Sequence, residues 1–264
     1  MSFIAVLIES SKMPSLLSRQ SSFAKPNYDR WLSIPGAMAI QLCLGQAYSL
    51  GALYHRAAGP GAVEQSWIDS HINSVFTLAM LMLGLSAAFA GRITAAIGPR
   101  AATILSALLF STGLAISAVA VHFEIVWLLY LGYGVIAGCG MGIGYIAPMQ
   151  MLIDWFPDRR GLATGLAITG FGAGAMLATA LSSALIGIFH SGSSSGVPET
   201  LIVLAVIYGI IMLAASTTMR VPAKVVASAV PSLDAREAVR TRPFYLLWAL
   251  LCINVLAGIN LLVS

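Results

Sequence analysis

The groups in this chain that could act on another molecule from within its apolar runs are uncharged. Gln41, Gln46, Tyr48, Tyr133, Tyr145 and Gln150 supply amides and phenols, which donate and accept hydrogen bonds without charge at neutral pH. Such groups can replace the water around a polar solute, or bond one helix to another. They are poorly suited to enzymatic work, which needs tuned carboxylates, imidazoles or activated nucleophiles. The four histidines, His55, His71, His122 and His190, fall in or beside loops with no metal-ligand spacing. Cys43, Cys139 and Cys252 sit inside apolar runs without a C-x-x-C pattern and read as inert thiols. No catalytic residue, metal or cofactor is therefore expected.

Charge gathers instead at two connections. Asp154-Trp155-Phe156-Pro157-Asp158-Arg159-Arg160-Gly161 puts two acids and two bases around a proline. Arg159 and Arg160 with Asp154 and Asp158 can form a cluster that holds helix ends together, gates a passage or anchors the chain. Gly91-Arg92-Ile93-Thr94-Ala95-Ala96-Ile97-Gly98-Pro99-Arg100 is the second such connection, with Arg100 at its end. Glycine supplies the third pattern. Gly134, Gly138 and Gly142 recur every four residues, as do Gly140 and Gly144; Gly161 with Gly165, and Gly170 with Gly174, repeat the device. Residues four apart share a helix face, so each row makes a groove in which another helix backbone can lie close. Static packing needs that groove, and so does a bundle whose helices slide. Pro148 can loosen the backbone ladder near one end.

Seven charge-free stretches must position these groups: 31–54, 72–91, 101–121, 125–153, 162–189, 200–219 and 244–263. Each is long enough to cross a hydrocarbon core of about 30 Å as a helix that satisfies its own backbone. Charged residues make up 9% of the chain and hydrophobic ones 58%, against roughly 25% charged in soluble domains. A solvated surface cannot be built from this composition, and the natural partner is the lipid bilayer. The net charge of +4 does not point to nucleic acid, because the basic residues are scattered among loops. With the N-terminus in the cytoplasm, 13 of the 14 lysines and arginines lie inside, and only Arg56 lies outside. The expected fold is an all-α, multi-pass membrane protein with its N-terminus inside. Residues 1–30 form a cytoplasmic tail and 31–219 a six-helix bundle. Residues 220–243, polar with Pro222, Pro231 and Pro243, form a cytoplasmic linker with a short surface helix at 232–239. Residues 244–264 open a further helix.

The string Asp154-Trp155-Phe156-Pro157-Asp158-Arg159-Arg160-Gly161-Leu162-Ala163-Thr164-Gly165 resembles the segment between the fourth and fifth helices of the oxalate/formate antiporter family, within the major facilitator superfamily. Gly45-Gln46-Ala47-Tyr48-Ser49-Leu50-Gly51-Ala52-Leu53-Tyr54 is similar to that family's first helix. The likeness covers about residues 31–219 and extends to the linker and seventh helix. It implies twelve helices in two six-helix bundles, with a small carboxylate bound between them and exposed to each side in turn. A bacterial inner or plasma membrane is the implied location. On that pattern Gln46, Tyr48 and Tyr145 are the preferred cavity-wall residues. The anion-binding cations belong to a second half, missing from this chain or separate from it, so the chain is expected to be incomplete for transport. The connection at 91–100 lacks the superfamily's usual acidic residue, and the first helix lacks the acidic, aromatic signature of animal-type monocarboxylate transporters, which disfavours that neighbouring family. The rival reading is a non-transporting six- or seven-helix membrane protein that associates with or regulates another.

Overall fold

Backbone amides cannot stay unpaired in hydrocarbon, so the charge-free runs wind into helices. The computed structural model describes residues 28–49, 66–190, 195–222 and 240–263, and its elements are all helical. The surface helix expected at 232–239, most of the linker and most of the N-terminal tail lie outside these residues. Among the described residues, five helices are long and apolar enough to cross a membrane.

Helix α1 covers Ser33–Leu44, led in by a 3-10 turn at Arg30–Leu32 on which the Asp29 carboxylate caps Trp31 N. It does not run on as one α-helix through 31–54. At Gly45 it tightens into a 3-10 stretch, Gly45–Ser49, where it crosses the later helix Arg160–Phe189 so closely that a methyl on Gly45 would lie 2.5 Å from the Phe171 carbonyl oxygen. Helix α2 is Ser66–Ile97 and α3 is Pro99–His122. The break between them is made by Gly98, whose φ of 87° suits glycine, and by Pro99, whose fixed φ starts the next helix.

Helix α4 runs from Val126 to Trp155. Its first half holds a stretch, Tyr130–Ala137, wound as a π-helix, and Gly138–Trp155 is α-helical again. Pro148 sits inside the regular part. The irregularity instead falls where Gly132 and Gly134 weaken helical preference and where α3 presses in: a methyl on Gly113 would lie 2.6 Å from Ala137 N. Helix α5 is Arg160–Phe189, and α6 is Val197–Ser216, entered through Gly196 at φ 73°. Helix α7 is Arg242–Val263.

The chain divides into two compact units, residues 1–225 and 226–264. In the first, α3 lies between α6 and α4, α2 runs along α4, and α5 runs along α1. Their shared core is built from Ile40, Leu44, Phe110, Leu114, Tyr133 and Met141. Large apolar side chains such as Leu81, Leu85, Met176, Ile188 and Ile210 point outward, as they do on helices surrounded by lipid. In the second unit, α7 is apolar along its described part and exposes Leu246, Leu247 and Trp248.

The glycine rows sort themselves by neighbour. A methyl on Gly134 would lie 2.8 Å from Leu78 Cδ2 and one on Gly138 2.9 Å from the Ala79 carbonyl; one on Gly142 would meet the Ser86 hydroxyl, all on α2. The second row faces α3 and α1, with Gly140 against Phe110 N at 2.7 Å and Gly144 against Ser106 and Leu44. On α5, Gly170 packs on Gln41 and Gly174 on the Leu42 backbone, but Gly161 and Gly165 have open space where a side chain would stand. Gly165 lies on the exposed side of α5 and packs against no other helix of the described residues.

Candidate functional site

Tyr48 lies in the 3-10 stretch of α1, Tyr145 lies on α4, and both rings meet Phe171 of α5. The Tyr48–Phe171 centroids are 5.5 Å apart and the Tyr145–Phe171 centroids 5.4 Å, each pair edge to face at 80°. Phe76 of α2 closes the fourth side, 6.1 Å from Tyr48. All four rings are half-buried, so the cluster is a lined surface with phenols at its edge. Edge-to-face rings hold one another in place, which presents the two hydroxyls from fixed positions. Gly45 and Gly174 make this possible, because their missing side chains let α1 and α5 cross at backbone distance.

Gln46 does not join that surface. It is fully enclosed, and its Oε1 accepts from the Tyr208 hydroxyl of α6 at 2.9 Å. Its backbone carbonyl accepts from the Tyr133 hydroxyl at 3.5 Å. The reason is winding: Gln46 and Tyr48 are two residues apart on a tight 3-10 turn and leave it in different directions. Gln41 is likewise enclosed, donating to the Tyr145 carbonyl at 3.1 Å. Gln150 is exposed at the far end of α4. Reasoning from sequence missed Phe171, Phe76 and Tyr208. A phenol inside the run 200–219 was a usable signal for Tyr208; nothing local marks Phe76 or Phe171 as different from lipid-facing phenylalanines.

The connection between α4 and α5 forms a clasp. Arg30 pairs with Asp158 at 3.2 Å, and Arg159 Nε approaches the same carboxylate at 3.9 Å. The Arg30 guanidinium also lies over Phe156, 5.0 Å from its centroid, and Phe156 is fully enclosed with Trp31 against it. Trp155 Nε1 donates to the Arg220 carbonyl at 2.6 Å, and the Tyr28 hydroxyl donates to the Thr218 carbonyl at 3.2 Å. Burial pushes the Tyr28 phenol above its ordinary range, Arg220 pulls it back and Asp29 adds to the rise, so it remains a neutral donor. Thus the start of α1, the α4–α5 connection and the end of α6 are held together. Asp158 is the acidic centre, and Arg160 opens α5. Among the described residues the ion pairs at this end do not include Arg100, which occupies the first turn of α3 with its Nε buried and without a hydrogen bond.

The sequence matches the family model of the Major Facilitator Superfamily over residues 33–264. It is 31% identical to an uncharacterised MFS-type transporter, YhjX, of Escherichia coli K12, over 57% of this chain and 36% of that protein. It is 32% identical to monocarboxylate transporter 9 of Rattus norvegicus, over 55% of this chain and 27% of that protein. It is 27% identical to apicoplast pyruvate carrier 1 of Toxoplasma gondii, over 82% of this chain and 51% of that protein. The chain thus spans between about a quarter and a half of the length of these relatives. Monocarboxylate transporters stand among them even though the first helix lacks their acidic, aromatic signature, so that signature does not separate the chain from them.

Proposed function

The chain belongs to the Major Facilitator Superfamily, and from that premise we propose that it forms part of a secondary transporter of small organic anions such as pyruvate, lactate, formate or oxalate. The observation that carries the proposal is the surface where Tyr48 and Tyr145 stand edge-on to Phe171. Two fixed phenols can donate to a carboxylate, and the rings can receive its short apolar part. The absence of any charged side chain from the spans as drawn from sequence fits a wall that supplies neutral donors while a facing wall supplies the cation, since a buried carboxylate needs both. The printed names of two relatives, a monocarboxylate transporter and a pyruvate carrier, support the same substrate class.

The mode we favour is exchange of one carboxylate for another by alternating access, with the N-terminus inside and the protein in a bacterial inner or plasma membrane. The clasp around Asp158 then lies on the cytoplasmic face, where the positive-inside rule puts Arg30, Arg159 and Arg160. Arg100 is the gating candidate on the same face. On this reading the facing wall comes from a second six-helix bundle that opens with α7, or from a separate chain.

Counterflow in proteoliposomes containing the protein that carries this sequence decides the matter. Uptake of labelled pyruvate, formate or oxalate should saturate and should rise when the vesicles are preloaded with unlabelled carboxylate. Saturable uptake indifferent to preloading would remove exchange; no saturable uptake of any of them would remove the substrate class.

A further inference from the structure

Two departures from α winding face each other inside the bundle. Helix α1 tightens over Gly45–Ser49, and α4 widens over Tyr130–Ala137. They touch: Tyr133, in the widened stretch, donates its phenol to the carbonyl of Gln46, in the tightened one. From the side of α6, Tyr208 donates to Gln46 Oε1. Gln46 and Tyr133 are both fully enclosed, yet Gln46 Nε2 has no hydrogen-bond partner. Tyr208 is the side-chain amide's one partner among the described residues, so exchanging its oxygen and nitrogen would move the unpaired atom without removing it. Enclosed amides are rarely left half-paired, and short 3-10 and π stretches inside helices are concentrated at hinges and functional sites.

We propose that Tyr133 is a positioning residue whose phenol, on the Gln46 backbone carbonyl, couples the widened stretch of α4 to the tightened stretch of α1, so that both rewind together when the transporter changes access. The proposal rests on the transport reading above. Tyr133 is enclosed and acts through Tyr48, two residues beyond the Gln46 carbonyl on the same turn. Five residues rewound from about 2.0 Å to about 1.5 Å rise would shorten the stretch by about 2.5 Å, enough to carry the Tyr48 ring off the edge of Phe171. A change between π and α winding turns the helix beyond it, so Tyr145, further along α4, would move in the same event. The half-paired Gln46 amide suits this coupling, because a fully bonded one would hold a single arrangement too firmly.

Amide hydrogen exchange on the full protein in lipid nanodiscs tests this, with Tyr133→Phe and Tyr208→Phe as variants. Tyr208→Phe, which deletes only the hydroxyl between α6 and α1 and keeps its ring stacked near Phe110, is the control; Tyr133→Phe deletes the hydroxyl that bridges the two stretches. In Tyr133→Phe, exchange should rise about tenfold in peptides covering 45–49 and 130–137 alike, and stay level in α3 and α5. Turnover in counterflow should fall while KM stays within about twofold. A response in one stretch without the other overturns the coupling. So does a rise spread through the whole bundle, the mark of a purely structural loss. Coupled exchange in a protein that moves no carboxylate would leave the hinge standing and remove the transport reading. Carboxylate transport with uncoupled stretches would do the reverse.

Discussion

Tyr48 and Tyr145 have ring contacts that hold their phenols without using the hydroxyls up. If those hydroxyls meet the solute, Tyr48→Phe and Tyr145→Phe should each raise the counterflow KM about ten- to a hundredfold, the scale of a hydrogen bond to a charged group at about 1.5–3 kcal/mol. The melting temperature should hardly move, because the edge contacts with Phe171 remain. An unchanged KM in both variants would show that the phenols do not touch the solute. Asp158 is a different case. Its pair with Arg30 is well exposed on both sides, so Asp158→Asn should cost no more than about 1 kcal/mol in thermal unfolding. A larger loss would mean that Asp158 has a role the ion pair does not describe. The importance of residues 154–160 was plain from sequence, where two acids and two bases surround Pro157. Their partner Arg30, 128 positions away, was not, because no local pattern links them.

Helix α4 serves several neighbours through rows of glycine on different faces. Glycine spacing was legible in the sequence, but which row meets which helix was not, since every row has the same four-residue period. The difference has consequences. Gly140→Val should destabilise the protein by about 1–3 kcal/mol, because the added side chain runs into the α3 backbone at Phe110. Gly165→Ala has the same chemistry in open space and should be neutral or stabilising by up to about 1 kcal/mol, through helix preference alone. Thermal unfolding in nanodiscs compares the two; equal losses would mean that Gly165 is packed after all. The winding changes in α1 and α4 were equally hidden. The sequence 125–153 is a single apolar run, and only the approach of α3 at Gly113 and Ala137 marks where it is widened.

At the scale of the whole molecule, charge asymmetry predicts the orientation, and labelling can check it. In intact cells, a membrane-impermeant maleimide should miss Asp158→Cys and label His190→Cys, with labelling of Asp158→Cys appearing in inverted vesicles. The opposite pattern would reverse the topology. The sequence by itself determined that this is a multi-pass helical membrane protein, and roughly where most of its helices lie. Hydrocarbon imposes that through one requirement, paired backbone over about 20 apolar residues, which composition and spacing satisfy without reference to any contact. Tertiary structure alone decided which polar residues face outward. Gln46 and Tyr48 look alike as candidates, yet the tightening at Gly45, under the close crossing of α5, encloses one against Tyr208 and leaves the other half-buried beside Phe171. The phase of a helix past such a crossing depends on its neighbours, and no stretch of sequence carries that information locally.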